Sequence, residues 1–176
     1  FRTLGYRVVG INHLGDWGSQ FAKLIVAWKR WGEGELTEDI TIHTLLDLYV
    51  RINAEIDDNP DAEEEASLWF RRLEVGDGEA RRMWQVACDI SWKEFERVYD
   101  RLGIEFDVVA GESTHIERMH ESVQRLNDKG LVKISEGATI VDLEEWDMPP
   151  FLAYRSDEAS LYATRDLAAA EHRWAE

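Results

Sequence analysis

The sequence predicts an α/β fold with a mostly helical insertion. Near the start of the chain, a short apolar segment, a glycine-containing turn and an amphipathic helix follow one another, as in the repeating unit of α/β proteins. Only helical periodicity is found between about residues 37 and 102, and strand-like and helix-like segments alternate again beyond residue 103. With 176 residues, 44% of them hydrophobic, the chain is long enough to bury a core.

The first elements lie in residues 7–32. Apolar and β-branched residues at 7–14 predict a strand, and the GDWG tetrapeptide after it predicts a tight turn. The periodic stretch SQFAKLIVAWKRW then predicts a helix that ends at Gly32. Ligands of α/β proteins collect at strand-to-helix corners, so this corner is a first candidate site.

The insertion begins with two predicted helices in an acidic part of the chain. Apolar spacing indicates a helix from Thr37, and Asn59 with Pro60 forms the cap and first turn of a second helix that runs to about Arg72. The segment Glu33–Glu65 holds 12 acidic residues and one basic residue. Because these acids fall opposite the apolar positions, we interpret them as a solvated helix face.

Two further helices are predicted in the rest of the insertion. One runs over residues 78–87, and a capping box of Ser91 and Glu94 opens another, which Gly103 closes. The insertion is therefore expected to contain four helices.

The remaining chain alternates strands and helices. Residues 106–110 predict a strand, and a capping box of Thr114 and Glu117 opens a helix that ends at Gly130. The segments LVKIS and ATIVDL, separated by Glu136 and Gly137, predict a hairpin. Three more elements are expected near the end: strands FLAYR and LYAT, and a helix from residue 165 to 174.

Charge, cysteine content and motif spacing exclude several classes of function. A net charge of −16 argues against broad binding to phosphate backbones. The single cysteine, Cys88, cannot form an internal disulfide and is expected to be a small buried hydrophobe. His115 and His120 are five residues apart, whereas a helical metalloprotease motif needs four. No run of 18 apolar residues predicts a membrane span.

Two segments concentrate the residue types that bind ligands. HLGDWGSQF brings glycines, an acid, an amide and aromatic residues to the first strand-to-helix corner. In SLYATRDLAAA, Tyr162 is expected at the end of a strand and Asp166 in the first turn of the last helix, with Thr164 as its cap. A carboxylate there is stabilised by the helix dipole even without a ligand.

Four segments of this chain resemble, in order, the catalytic domain of the arginyl-tRNA synthetases, a family of class I aminoacyl-tRNA synthetases. They are NHLGDWGSQF, FDVVAGES, EGATIVDL and YRSDEASLYATRDLAAA, and the likeness extends over nearly the whole chain. Arg155 and Glu158 depart from the Lys and Gly that are usual in the family.

The resemblance implies an incomplete Rossmann-like class I synthetase catalytic domain with a mostly helical insertion and a small β-hairpin. It divides the chain into a strand-turn-helix (1–36), the insertion (37–102), a strand-helix (103–130), the hairpin and connector (131–150), and strands with a C-terminal helix (151–176). In this family the HxGH motif precedes LGDWG, so we expect the chain to start after it and to lack the ATP-handling histidines. The chain by itself is therefore expected to be inactive.

The resemblance also implies an activity and a set of substrates. The implied activity is that of a cytoplasmic arginine–tRNA ligase. Such an enzyme activates arginine with ATP, accompanied by Mg²⁺, and transfers it to tRNA(Arg). No catalytic residue and no protein-bound metal are expected in this chain. Tyr162 and Asp166 map to arginine binding, where a carboxylate can accept two hydrogen bonds from the planar guanidinium fork, which lysine lacks. His13, Asp16 and Gln20 are expected at the active-site floor.

The insertion is expected to lie near the acceptor end of the tRNA. Its densest basic residues are candidates for that contact: Arg71, Arg72, Arg81 and Arg82. The alternative for these residues is that they are exposed helix charges paired with neighbouring glutamates.

Two other hypotheses for the chain remain open. It could be an arginine- or tRNA-binding module without ligase activity, or belong to a class I synthetase for another amino acid, such as the cysteine-specific type. The latter needs zinc ligands, which are not visible here. Self-association through the edge of an incomplete sheet is a further expectation.

Overall fold

A computed structural model describes residues 1–154 and 161–175. The chain divides into two compact units. The helical unit contains residues 1–11 and 15–108, and the mixed unit contains residues 12–14 and the described residues from 109 onward. Arg155 and Glu158, where the sequence departs from the arginyl-tRNA synthetase pattern, lie outside the described residues.

Four helices build the helical unit: α1 (Ser19–Trp31), α2 (Ile42–Asp58), α3 (Pro60–Glu74) and α4 (Gly78–Leu102). Helix α1 packs against each of the other three. Its apolar face is buried because alanine, isoleucine and valine recur at helical spacing, and the other helices add further core residues, among them Ile52, Trp69, Leu73 and Met83.

The helix boundaries of the insertion confirm some predictions and correct others. Asn59 caps α3 as predicted, since its side chain accepts a hydrogen bond from the amide of Asp61. The predicted start of α2 at Thr37 is wrong, because the helix begins at Ile42.

The predicted break before Ser91 is also wrong, because α4 continues through it. The Ser91 hydroxyl donates to the carbonyl of Ala87 inside the helix instead of capping a new one. Helix α4 ends as predicted at Gly103, whose positive φ of 64° lets the chain leave the helix.

Two short strands, β1 (Ile11–Asn12) and β2 (Val108–Val109), pair with each other. In the mixed unit the ladder continues, because the amide of Ala110 donates to the carbonyl of Asn12 and that of Glu112 to the carbonyl of Leu14. Donors and acceptors advance together by two residues, which is a parallel arrangement. Both strands are shorter than the predicted 7–14 and 106–110.

A 3₁₀ turn (Glu112–His115) leads into α5 (Ile116–Asp128). The predicted capping box is wrong, because Thr114 lies inside the 3₁₀ turn and His115 occupies the cap position without a side-chain cap bond. Local sequence favoured a cap, but the chain enters the helix through the tighter turn instead.

The predicted hairpin is confirmed. Strands β3 (Val132–Ser135) and β4 (Ala138–Val141) pair antiparallel, with Glu136 and Gly137 at φ of 50° and 81° in the two-residue turn. Two positive φ values are those of a type I′ turn, which matches the twist of the strands. Strand β5 (Phe151–Tyr154) adds to β4 and completes a three-stranded sheet.

The last helix, α6 (Tyr162–Ala175), begins earlier than predicted. LYAT is therefore not a strand, and Tyr162 opens the helix instead of ending a strand. Thr164 is not a cap: it is fully buried, and its hydroxyl donates to the carbonyl of Ala153 at 2.5 Å, which ties α6 to β5. Asp166 accordingly lies in the second turn of α6. None of the helices in the described ranges has the length and apolar character to cross a bilayer.

Candidate functional site

Asp166 is the centre of the candidate site in the mixed unit. Its carboxylate is about half-buried, with 42% of the side chain exposed. Tyr162 lies one helical turn earlier and is 62% exposed. The Tyr162 hydroxyl donates to the Asp166 carboxylate, and this hydrogen bond is the main reason why the pKa of Tyr162 is raised. The pair presents a negative charge that a ligand can reach.

His13 approaches the same carboxylate from the residue after β1. Its Nδ1 lies 3.1 Å from the carbonyl oxygen of Ala110, and since a carbonyl can only accept, Nδ1 carries the proton. The Nε2 atom then lies 3.7 Å from Oδ1 of Asp166, within ion-pair range but beyond a hydrogen bond. Nε2 is buried and has no hydrogen-bond partner among the described residues.

The residue that precedes Asp166 on α6, Arg165, forms a buried ion pair. The guanidinium Nε of Arg165 donates to Oε2 of Glu112 at 2.6 Å, and both side chains are at most 10% exposed. The pair joins α6 to the 3₁₀ turn. Sequence reasoning did not select these two residues, although Glu112 lies in the FDVVAGES segment and Arg165 in the TRD segment.

Three histidines from separate elements lie close together, with their rings tilted against one another. The ring of His115 lies 6.0 Å from that of His13 and 5.6 Å from that of His172, measured between centroids. His115 is 1% exposed, and neither of its ring nitrogens has a hydrogen-bond partner among the described residues. Burial is the main cause that lowers the pKa of His115 below its usual value of 6.5, and four nearby basic side chains lower it further: His172, His13, Arg173 and Arg118. His115 is therefore a neutral ring at pH 7.

The other two residues expected at the active-site floor, Asp16 and Gln20, belong to the helical unit. The backbone carbonyl of Asp16 accepts a hydrogen bond from the indole of Trp84 on α4 at 2.7 Å, which anchors the LGDWG corner to that helix. Gln20 is exposed in the first turn of α1, and its amide donates to the carbonyl of Trp17 at 3.3 Å. Their role in a site stays a prediction.

Three of the four arginines proposed for tRNA contact have partners in the helical unit. Arg72 donates to both oxygens of Asp77 and to Glu79, each at 3.0 Å, and its guanidinium lies 3.9 Å from the ring centre of Trp69. Two others contact neighbouring side chains: Arg82 lies 3.8 Å from Glu35, and Arg81 lies 5.5 Å from the ring centre of Trp17. Arg71 is exposed on α3. These pairings favour the structural alternative for Arg72 in particular, and tRNA contact stays a prediction.

The described ranges show how metal-ligating side chains and the cysteine are placed. Residues 1–154 and 161–175 contain no group of three or more His, Cys, Asp or Glu side chains placed to hold a metal ion. Cys88 is half-buried, and burial, followed by the charges of Asp16 and Asp89, raises its pKa to about 12. A thiol with that pKa stays protonated and is a poor nucleophile at pH 7.

Comparison with known proteins identifies the family of this chain. Residues 1–176 match the family of class I tRNA synthetases (R), catalytic domain. The chain is 53% identical over 173 residues to an arginine–tRNA ligase of Clostridioides difficile and 51% identical to one of Streptococcus uberis, covering 98% of this chain in each case. It spans 31% of the length of both relatives.

A solved structure supports the fold. The arginyl-tRNA synthetase of Plasmodium falciparum superposes with a TM-score of 0.73 at 22% identity, over 98% of this chain and 29% of that protein. This likeness confirms the predicted fold class. Because the family match extends over every residue, the chain belongs to the arginyl-tRNA synthetases of class I, as part of their catalytic domain.

Proposed function

We propose that this chain is the part of an arginine–tRNA ligase that recognises the arginine side chain. Relatives above 50% identity are arginine–tRNA ligases, and the chain spans about a third of their length. The whole protein then activates arginine with ATP and transfers it to tRNA(Arg) in the cytoplasm.

The accessible Asp166 carboxylate, with the Tyr162 hydroxyl bonded to it, is the single observation that carries the proposal. A guanidinium offers planar N–H donors that a carboxylate accepts in pairs, and a charge-assisted hydrogen bond contributes about 1.5–3 kcal/mol. Lysine carries a compact ammonium that cannot fill the same fork. Asp166 therefore selects arginine over lysine, and Tyr162 orients the carboxylate.

The buried pair of Glu112 and Arg165 keeps this carboxylate in place. Arg165 directly precedes Asp166 on α6, so a helix turn anchored by the buried pair cannot rotate without exposing an unpaired charge. A rigid support is needed because a binding group that shifts by a fraction of an ångström loses much of its effect. Any magnesium is expected to arrive with ATP and to be held by the phosphates.

Replacing Asp166 by alanine in the full-length ligase tests the proposal. We expect the KM for arginine in ATP–pyrophosphate exchange with tRNA present to rise at least about tenfold, which is the loss of one charge-assisted hydrogen bond. The KM for ATP stays nearly unchanged. Asp142→Ala, which removes an exposed carboxylate paired with Lys133, is the matched control and leaves both constants unchanged.

The outcome also separates the proposal from a binding module. Arginine-dependent exchange by the full-length protein supports a ligase, whereas arginine binding without exchange indicates the module. An unchanged KM for arginine in Asp166→Ala removes Asp166 from the arginine site.

A further inference from the structure

The strand that packs against α6, β5, is irregular at one residue. Two consecutive residues of β4 pair with Leu152 and Tyr154 of β5, so the register skips Ala153. One extra residue in one of two paired strands is a β-bulge, a feature that is over-represented beside functional sites. Ala153 is fully buried, and its carbonyl accepts the hydrogen bond from the hydroxyl of Thr164. The bulge therefore contacts α6 at Thr164.

Thr164 lies on the opposite side of α6 from Tyr162 and Asp166. Each residue of an α-helix turns by about 100°, so Thr164, two residues from both, points about 160° away from either of them. The burial agrees, because Thr164 is fully buried whereas Tyr162 and Asp166 are accessible. A hydrogen bond that fixes Thr164 on the inner side therefore sets the direction in which the Asp166 carboxylate points on the outer side.

A small rotation of α6 is enough to displace this carboxylate. Side chains extend about 5–6 Å from a helix axis, so a rotation of about 10° moves their ends by about 1 Å. A displacement of that size can cost an enzyme about a hundredfold in rate. Arg165 restrains the same turn through a long side chain with several rotatable bonds, whereas the Thr164 hydroxyl is attached directly to Cβ. Thr164 is therefore the stiffer of the two links.

We propose, on the basis of the arginine site described above, that Thr164 is a positioning residue for Asp166. Its hydroxyl, bonded to the carbonyl of the bulged Ala153, fixes the rotation of α6 and with it the carboxylate that accepts the guanidinium. Because Thr164 is fully buried, it acts through the helix and not by contact with arginine. Removal of the hydroxyl weakens the binding of arginine and leaves the binding of ATP unchanged.

Steady-state kinetics of the full-length ligase test this proposal. In Thr164→Val, which keeps the shape of the side chain, we expect the KM for arginine in ATP–pyrophosphate exchange with tRNA present to rise about three- to tenfold, with kcat and the KM for ATP within about twofold of the wild type. Thr164→Ser keeps the hydroxyl but loses a buried methyl group, so it should unfold at lower denaturant concentration and yet keep the KM for arginine within about twofold.

Ser122→Ala is the matched control for a loss of stability at α6. Ser122 is also fully buried, and its hydroxyl donates to Glu171, further along the helix from Asp166. We expect this variant to unfold more easily, as Thr164→Val does, but to keep the wild-type KM for arginine. A rise in that KM equal to the rise in Thr164→Val would overturn the proposal, because any loosening of α6 would then have the same effect.

A second pair of variants covers the case in which Thr164→Val does not fold. Thr164→Ser and Thr164→Ala differ only by the hydroxyl, so the KM for arginine should be higher in Thr164→Ala. Equal values within this pair, or between the wild type and Thr164→Val, would overturn the role of Thr164. If Asp166→Ala nevertheless raises the KM for arginine, the arginine site itself stands. An unchanged KM in Asp166→Ala would instead remove that site, and both proposals would fail.

Discussion

The two units of this chain differ in whether they bury polar side chains. All six buried polar residues in the described ranges belong to the mixed unit: Asn12, Glu112, His115, Ser122, Thr164 and Arg165. In the described part of the helical unit, the buried side chains are apolar and the ion pairs are at least partly exposed. Burying a polar group is costly unless it is paired, so a fold keeps such groups inside where they position something. The unit with the polar interior is the one that contains Asp166.

Breaking the buried ion pair should have the largest effect. Replacing Arg165 by methionine leaves the Glu112 carboxylate buried without its cation, and we expect the free energy of unfolding to fall by about 3–5 kcal/mol. Denaturant unfolding followed by circular dichroism measures the change.

A double variant separates pairing from packing at this position. Arg165→Met combined with Glu112→Leu removes both charges and should recover most of the lost stability, because the desolvation cost disappears together with the attraction. Asp142→Ala, which breaks an exposed pair, should leave the transition unchanged. A single Arg165→Met variant as stable as the wild type would show that the pair is not buried.

In the helical unit, we expect stability to be lost when a substitution removes buried packing contacts instead of a charge. Leu73 on α3 is fully buried, and Leu73→Ala is expected to lower the free energy of unfolding by about 3 kcal/mol because it leaves a cavity. Leu68 on the same helix is 53% exposed, so Leu68→Ala is the matched control and should change the unfolding midpoint little. Equal effects at the two positions would contradict the burial of Leu73.

A smaller effect is expected at the link between α6 and β5. Thr164→Val keeps the shape of the side chain but removes the hydroxyl that donates to Ala153, and we expect a loss of about 1–2 kcal/mol in the free energy of unfolding. Thr114→Val is the control, because Thr114 is exposed and does not cap α5. If Thr114→Val proves the more destabilising of the two, the sequence-based cap was right.

Local sequence patterns correctly predicted the elements whose ends depend on a helix cap or a two-residue turn. Asn59 with Pro60 fixed the start of α3, and Glu136 with Gly137 fixed the hairpin, because caps and two-residue turns depend on a few neighbouring residues. The same kind of signal failed at Ser91, where packing continues α4 through a good cap residue. Tertiary contacts outweigh a cap that contributes about 1 kcal/mol.

The site was predictable only in part for a similar reason. Tyr162 and Asp166 were selected by resemblance and by their chemistry, and they lie one turn apart on α6. The pairing of Glu112 with Arg165 joins residues 53 positions apart, and the burial of His115 depends on His13 and His172 from other elements. No local pattern encodes contacts of that range.

The smallest change in the free energy of unfolding at neutral pH is expected for a substitution of His115. This substitution tests whether a buried polar side chain without hydrogen bonds contributes to stability. The ring nitrogens of His115 lack hydrogen-bond partners among the described residues, so His115→Phe, a ring of similar shape, should change the free energy of unfolding by less than about 1 kcal/mol at pH 8. The difference should appear on acidification. Because the pKa of His115 is lowered in the folded chain, the unfolded state takes up the proton first as the pH falls below 6.5, and the wild type loses stability there.

His115→Phe cannot take up that proton in either state, so its unfolding midpoint should fall less than that of the wild type between about pH 7 and about pH 5. His43→Gln, at an exposed position of α2, is the control and should follow the wild-type curve. If His115→Phe and the wild type lose stability in parallel, His115 is protonated in the folded chain. The mixed unit would then bury a charged His115 ring that has no hydrogen-bond partner among the described residues. The two units would in that case differ in buried charge even more than in buried polar side chains.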